Sequence, residues 1–212
     1  MYTVNIMTNI HENGLLMVQA REALRGRWGV AVGGTFLYLA VGTLLVLPKN
    51  IGNVLAIFAE GAMLLGLTVF SLSLARKQES NVSQVFSGFN DFLRALVTYL
   101  LMILFISLWT LLLIIPGIIA AFAYSQVFYI LAEDKNIKPM DALRKSKEMM
   151  KGHKADLLFL GLRFLGWFLL SILTLGIGLL WVMPYFQITM ALFYDKIKNI
   201  PALEKAPGVA GN

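Results

Sequence analysis

The chain has 212 residues, of which 58% are hydrophobic and only 14% charged, with a net charge of +6 and no cysteine. Soluble domains carry roughly 25% charged and about 45–50% apolar residues, so folding in water would leave apolar surface bare, and lipid is expected to cover it. The absence of cysteine excludes disulfides and thiolate metal sites, and His11 and His153 stand isolated in polar stretches without metal-ligand spacing.

The N-terminal segment, 1–27, is polar at its start and ends in a basic amphipathic stretch, Ala20 to Arg27. It lacks the basic-then-apolar order of a cleaved leader, so the first apolar run is read as an anchor. A bilayer core of about 30 Å needs roughly 20 apolar residues in helix. Trp28 to Leu47 supplies the first, closed by Pro48-Lys49-Asn50, and Ile51 to Ala75 the second, with the lone acid Glu60 inside it. After the polar stretch Arg76 to Asp91, a third run extends from Phe92 to Ile115, where Pro116-Gly117 is expected to turn the chain into a fourth run ending near Ala132. The charged linker 133–156 follows. The fifth run is Leu157 to Leu173, the turn Thr174 to Gly178 follows, and the sixth runs to Tyr194, with Pro184 expected to kink it. The tail 195–212, with Pro201 and Pro207, is expected to be mobile. The fold expected is all-α: a polytopic membrane bundle of about six helices over 28–194, with short amphipathic helices outside the lipid.

Sixteen of the eighteen lysines and arginines fall on segments that lie on one side if the N-terminus does; the exceptions are Lys49 and Arg163. By the positive-inside rule both termini are cytoplasmic in an inner membrane. Basic charges placed between apolar runs suit anionic lipid headgroups, and no nucleic-acid partner is expected.

A shift of 61 residues aligns the third and fourth runs with the fifth and sixth: Gly117 falls on Gly178, Tyr124 on Tyr185, Gln126 on Gln187, Leu131 on Leu192, Asp134 on Asp195 and Lys135 on Lys196. A weaker echo joins Leu74-Ala75-Arg76-Lys77 to the end of the fourth run. The pattern suggests three parallel two-helix repeats around an axis along the membrane normal; the competing reading is that apolar hairpins share a limited residue menu.

The candidate intramembrane polar site comprises Arg163, Gln126, Gln187 and Glu60. Arg163 lies seven positions beyond Asp156, roughly 10 Å along the helix. An arginine there either faces the protein interior or snorkels to the headgroups. Gln126 and Gln187 stand at similar depth and could complete one polar layer with it, as a binding site or as interhelical hydrogen bonds. Glu60 could oppose Arg163 in charge but belongs nearer the other end of its helix. The reading preferred is that Pro48 to Ala59 form a re-entrant or interfacial piece, with the true span starting near Glu60, which makes Glu60 an interfacial acid.

Pro139 to Lys151 reads as a helix, with proline in the first turn, an early aspartate and late lysines. Met140, Leu143 and Met150 share one side, so the helix is expected to lie on an anionic inner leaflet; the alternative is a protein partner docking at 139–154. No nucleophile–base arrangement, phosphate loop or paired-carboxylate site occurs; catalytic residues, cofactors and metal ligands are therefore not expected, and the chain is not read as an enzyme.

From Leu108 to Tyr194 the chain resembles an uncharacterised bacterial integral membrane family, domain of unknown function 975. The residues that carry the resemblance are Leu113-Ile114-Ile115-Pro116-Gly117-Ile118-Ile119, Tyr124-Ser125, Phe128-Tyr129-Ile130-Leu131-Ala132 and Ala142 to Lys154. Phe164-Leu165-Gly166-Trp167, Leu175-Gly176-Ile177-Gly178 and Pro184-Tyr185 add to it, as does Ala23-Leu24-Arg25-Gly26-Arg27-Trp28-Gly29. The resemblance implies a membrane location and this topology without an activity. It is also distantly similar to the membrane domain attached to some glycerophosphodiester phosphodiesterases, which implies lipid surroundings. Together these readings point to a non-enzymatic accessory, structural or envelope-protective membrane protein, or alternatively to a small transporter or channel built around Arg163.

Overall fold

A chain whose long apolar runs are to be covered by lipid must satisfy its backbone polar groups internally, and the helix does so within one segment. The computed structural model describes residues 2–47 and 52–204, with side chains over 12–47 and 52–199. Its helices are α1 Tyr2–Leu24, α2 Trp28–Val46, α3 Gly52–Ala75, α4 Phe92–Leu112, α5 Ile114–Tyr124, α6 Val127–Glu133, α7 Pro139–Met149, α8 Lys154–Leu173 and α9 Leu179–Glu204. A 3₁₀ segment, Val82–Asp91, lies between α3 and α4, and the described residues contain no strand. Five stretches are long and apolar enough to cross a membrane: Trp28–Val46, Gly52–Ala75, Val82–Leu112, Ile114–Glu133 and Lys154–Leu173. The sixth apolar run is the first part of α9, whose second part carries Asp195, Lys196 and Lys198.

The centre of the bundle is α3, buried almost continuously from Gly61 to Ala75 and packed on α2, the 3₁₀ segment, α4, α6 and α9. Its tightest contact is backbone on backbone. A Cβ on Gly66 would lie 1.9 Å from the Val85 carbonyl oxygen, and one on Gly88 would lie 2.0 Å from that of Ala62. Only glycine lets two segments approach this closely.

Several expected boundaries move. The turn between the third and fourth runs is Leu113, in extended conformation (φ −160°, ψ 142°), while Pro116 and Gly117 lie in the first turn of α5. Proline is tolerated there because the first amides of a helix have no intrahelical acceptor. The fourth run is not continuous but breaks at Ser125-Gln126 between α5 and α6. The break is filled from outside: the Gln126 amide donates to Ser146 Oγ (3.3 Å), and that hydroxyl donates to the Ala123 carbonyl (2.8 Å). Residues 52–59 belong to the unbroken α3, which removes the re-entrant reading for them; Pro48-Lys49-Asn50 and Ile51 lie outside the described residues. The chain stays helical past Asp195 to Glu204, because Ile197 is buried at 3% exposure and the neighbouring charges find partners. Lys205 and Pro207 lie outside the described residues.

The repeat has a structural counterpart. Thr110 and Gly117 close one hairpin, and Ser171 and Gly178, each 61 residues on, close the other. A Cβ on Gly117 would lie 2.2 Å from Thr110 Oγ1, and one on Gly178 would lie 2.8 Å from Ser171 Oγ. Each hydroxyl donates to the carbonyl four residues earlier, Ile106 and Trp167, at 2.8 Å.

Finally, α7 forms where its proline and early aspartate predict, but its inner face is already used. Ala142, Leu143, Ser146 and Met150 are buried against α4, α5 and α6, whereas Met140 is exposed. The outward face presents Arg144, Lys145, Lys147 and Lys151.

Candidate functional site

The four polar residues singled out from the sequence lie in different surroundings. Arg163 is exposed on α8, and its guanidinium reaches α1, where a Cβ on Gly14 would lie 3.1 Å from Nη1. Gln126 is fully buried at the α5–α6 break. Its Nε2 donates to Ser125 Oγ (3.0 Å), while Oε1 has no protein partner. Gln187 is half-buried, and its backbone carbonyl accepts from the Tyr129 hydroxyl at 3.4 Å. Glu60 accepts a 2.5 Å hydrogen bond from the Tyr38 hydroxyl across the α2–α3 hairpin. No hydrogen bond among the described residues joins any two of the four, so the polar layer expected of Arg163, Gln126 and Gln187 is not assembled. The physical reason is helical phase. Arg163 lies seven residues after Asp156 and therefore on the same face of α8, the face that meets α1 where Asn13 Nδ2 donates to the Asp156 carbonyl (2.9 Å).

The strongest polar constellation lies elsewhere, at the end of the bundle where the charged segments gather. The Arg76 guanidinium, just past α3, pairs with Glu133 at the end of α6 and with Asp195 of α9, the latter at 2.6 Å and 3.1 Å. Glu133 also takes Lys198 Nζ at 2.6 Å and the Tyr194 hydroxyl at 2.8 Å. Around this knot, Arg27 donates to the carbonyls of Gln78 (2.7 Å) and Lys77 (3.2 Å), capping the end of α3. Arg94 ties α4 to the Asp134 carbonyl (2.8 Å), and Lys196 ties α9 to Glu12 (2.6 Å). The Asp195 carboxylate, and after it Glu133, holds Arg76 charged well above the ordinary arginine range despite partial burial. An open cavity of about 420 Å³ adjoins the knot, with Arg76, Glu133 and Lys198 on its wall.

Both acids of this knot are neutralised by cations, and the Tyr194 hydroxyl beside Glu133 is engaged as a donor to that carboxylate. Its chemistry is that of a fastening. Sequence reasoning missed it, although a signal was present. Arg76 follows Leu74-Ala75 as Glu133 follows Leu131-Ala132, and the 61-residue shift carries Glu133 onto Tyr194. Three repeat-equivalent positions thus meet on one carboxylate. The Tyr38–Glu60 bond had a signal too, since a lone acid in an apolar helix requires a donor on its neighbour. Among the described residues no group of three or more histidines, aspartates and glutamates could hold a metal ion.

Comparison with known proteins gives one match. A family model described as "Protein of unknown function (DUF975)" matches residues 12–119 and 110–200. No curated protein and no solved structure matches the chain. The family match spans most of the sequence, and the chain belongs to the DUF975 family of proteins of unknown function.

Proposed function

We propose that this protein is a multi-pass protein of the inner membrane, with both termini cytoplasmic, and that its role is structural, accessory or envelope-protective rather than catalytic. The observation that carries the reading is the separation of the intramembrane polar groups. Among the described residues Arg163 is exposed beside α1, Glu60 is bonded to Tyr38 and Gln126 is enclosed, and no hydrogen bond joins one to another, which supports a sealed bundle over a pathway. The membrane location is supported by the wide exposure of large apolar side chains, among them Leu104, Leu108, Leu112, Ile115, Leu165, Leu169 and Leu173, far more than a water-soluble surface tolerates. The orientation rests on the basic residues, which favour the cytoplasmic side. On that side the outward face of α7 meets anionic headgroups, and the same face is open to an acidic protein partner.

A second reading, a small transporter or channel, is favoured by one feature: the unpartnered, buried Gln126 Oε1 at a broken helix, a position where transporters place binding groups. The absence of native cysteine makes the choice testable. Single cysteines at Gln126 and Gln187 are expected to resist a membrane-impermeant thiol reagent from both sides. Lys147→Cys should label only from the cytoplasmic side and Lys49→Cys only from outside. Labelling at Gln126 from either face would sink the sealed-bundle reading.

A further inference from the structure

Arg163 is the single charged residue of the apolar run Leu157 to Leu173, and the polar constellations above leave it without an acid among the described residues. No described carboxylate pairs with it; Glu12, two residues from the Gly14 it touches, is engaged by Lys196, and Asp156 is engaged by His153 at 3.0 Å. Below it on α8 runs an open groove of about 490 Å³, lined by Arg163, Gly166, Trp167, Leu169, Leu170 and Leu173. Apart from Arg163 the lining is apolar, and its large side chains are exposed: Trp167 by 44% and Leu170 by 58%. The spacing 163, 166/167, 170, 173 is one helical face. From Arg163 to Leu173 that face extends about 15 Å, half the thickness of a bilayer core. The notch in the groove is Gly166, over which a Cβ would meet nothing within 4 Å. An arginine leans toward the N-terminal end of its helix, which here carries the guanidinium back to α1 and leaves the groove beneath it clear.

We propose that this groove binds one anionic phospholipid, with its phosphate on the Arg163 guanidinium beside Gly14 and an acyl chain lying over Gly166 between Trp167 and Leu170. Charge complementarity selects the headgroup, because an unpaired guanidinium in an apolar setting is costly until an anion meets it. The apolar wall selects a lipid over a free phosphate. The site rests on the membrane reading above and adds a defined ligand class and place to it.

The test is native mass spectrometry of the full chain extracted from membranes in mild detergent and titrated with phosphatidylglycerol or phosphatidylcholine of equal chain length. The wild type is expected to retain phosphatidylglycerol selectively. Arg163→Gln should weaken that binding by about five- to tenfold, from roughly 1 kcal/mol or more per basic contact. Gly166→Leu, which keeps the charge but fills the notch, should weaken it comparably, and excess glycerol phosphate should not displace the lipid. Size-exclusion profiles and thermal unfolding show that each variant is folded. Equal retention of the two lipids, undiminished binding by Arg163→Gln or Gly166→Leu, or displacement by glycerol phosphate would each overturn the site while leaving the membrane reading standing. That reading fails separately, if the chain is recovered without detergent.

Discussion

Glu60 is the acid of an otherwise uncharged helix, and one hydroxyl decides how it is accommodated. The Tyr38 O–H donates to its carboxylate at 2.5 Å from the facing helix. Removing one partner of a shielded polar pair leaves the other's desolvation uncompensated, whereas removing both can be nearly neutral. Tyr38→Phe alone is therefore expected to destabilise the protein by about 1–3 kcal/mol, and Tyr38→Phe with Glu60→Leu by clearly less. Thermal unfolding in detergent measures both; equal losses for the single and double variants would show that the bond does not carry the pairing. The lone acid announced in the sequence that a donor was needed, but which hydroxyl supplied it depended on the phase of α2 against α3. Arg163 was equally visible, and its direction was not: residue type shows the cost of a buried charge, while the face it takes follows from where α1 lies on α8.

Among the elements, the contact of α3 with the 3₁₀ segment is the least forgiving. Gly66 and Gly88 bring the two backbones to where a methyl group would overlap the Val85 or Ala62 carbonyl oxygen. Because the obstacle is backbone rather than a movable side chain, Gly88→Ala must separate the elements, at about 1–3 kcal/mol or more. Gly29→Ala, whose Cβ would meet nothing within 4 Å, should change stability by only a few tenths of that. Unfolding midpoints of the two variants compare them directly, and equal values would contradict the close approach. The sequence marked helix positions well where periodicity and proline placement act locally, as at Pro139 for α7. It misplaced the α4–α5 turn because Leu113 is not a turn residue by type. It also missed the α5–α6 break, since that break is sustained by Ser146, twenty residues away from Gln126.

Across the whole molecule, Arg76 joins the ends of three hairpins by bonding Glu133 and Asp195 at once. The Arg76, Glu133 and Asp195 side chains are 32%, 18% and 25% exposed, so solvent screening reduces but does not abolish their attraction. Arg76→Gln is expected to cost about 1–2 kcal/mol, lowering the unfolding midpoint by about 2–4 °C per kcal/mol for a chain of this size. Arg76→Lys should recover only part, because a single ammonium cannot reproduce the fork that meets two carboxylates. Full recovery by lysine would show that charge alone holds the ends together.

What the sequence determined by itself was the solvent, the class and the rhythm of this protein: apolar runs of bilayer length, charges confined between them, and a 61-residue echo that survives in the closures at Thr110–Gly117 and Ser171–Gly178. These are properties of composition and of local spacing, so one dimension suffices to read them. The tertiary structure alone decided which polar groups meet. It sent Arg163 outward, gave Glu60 to Tyr38, used the apolar face of α7 to cover a broken helix, and drew Arg76, Glu133 and Asp195 into one knot. A polar side chain in an apolar bundle takes whichever partner helix rotation and crossing place within about 3 Å, and those relations arise only when the helices pack.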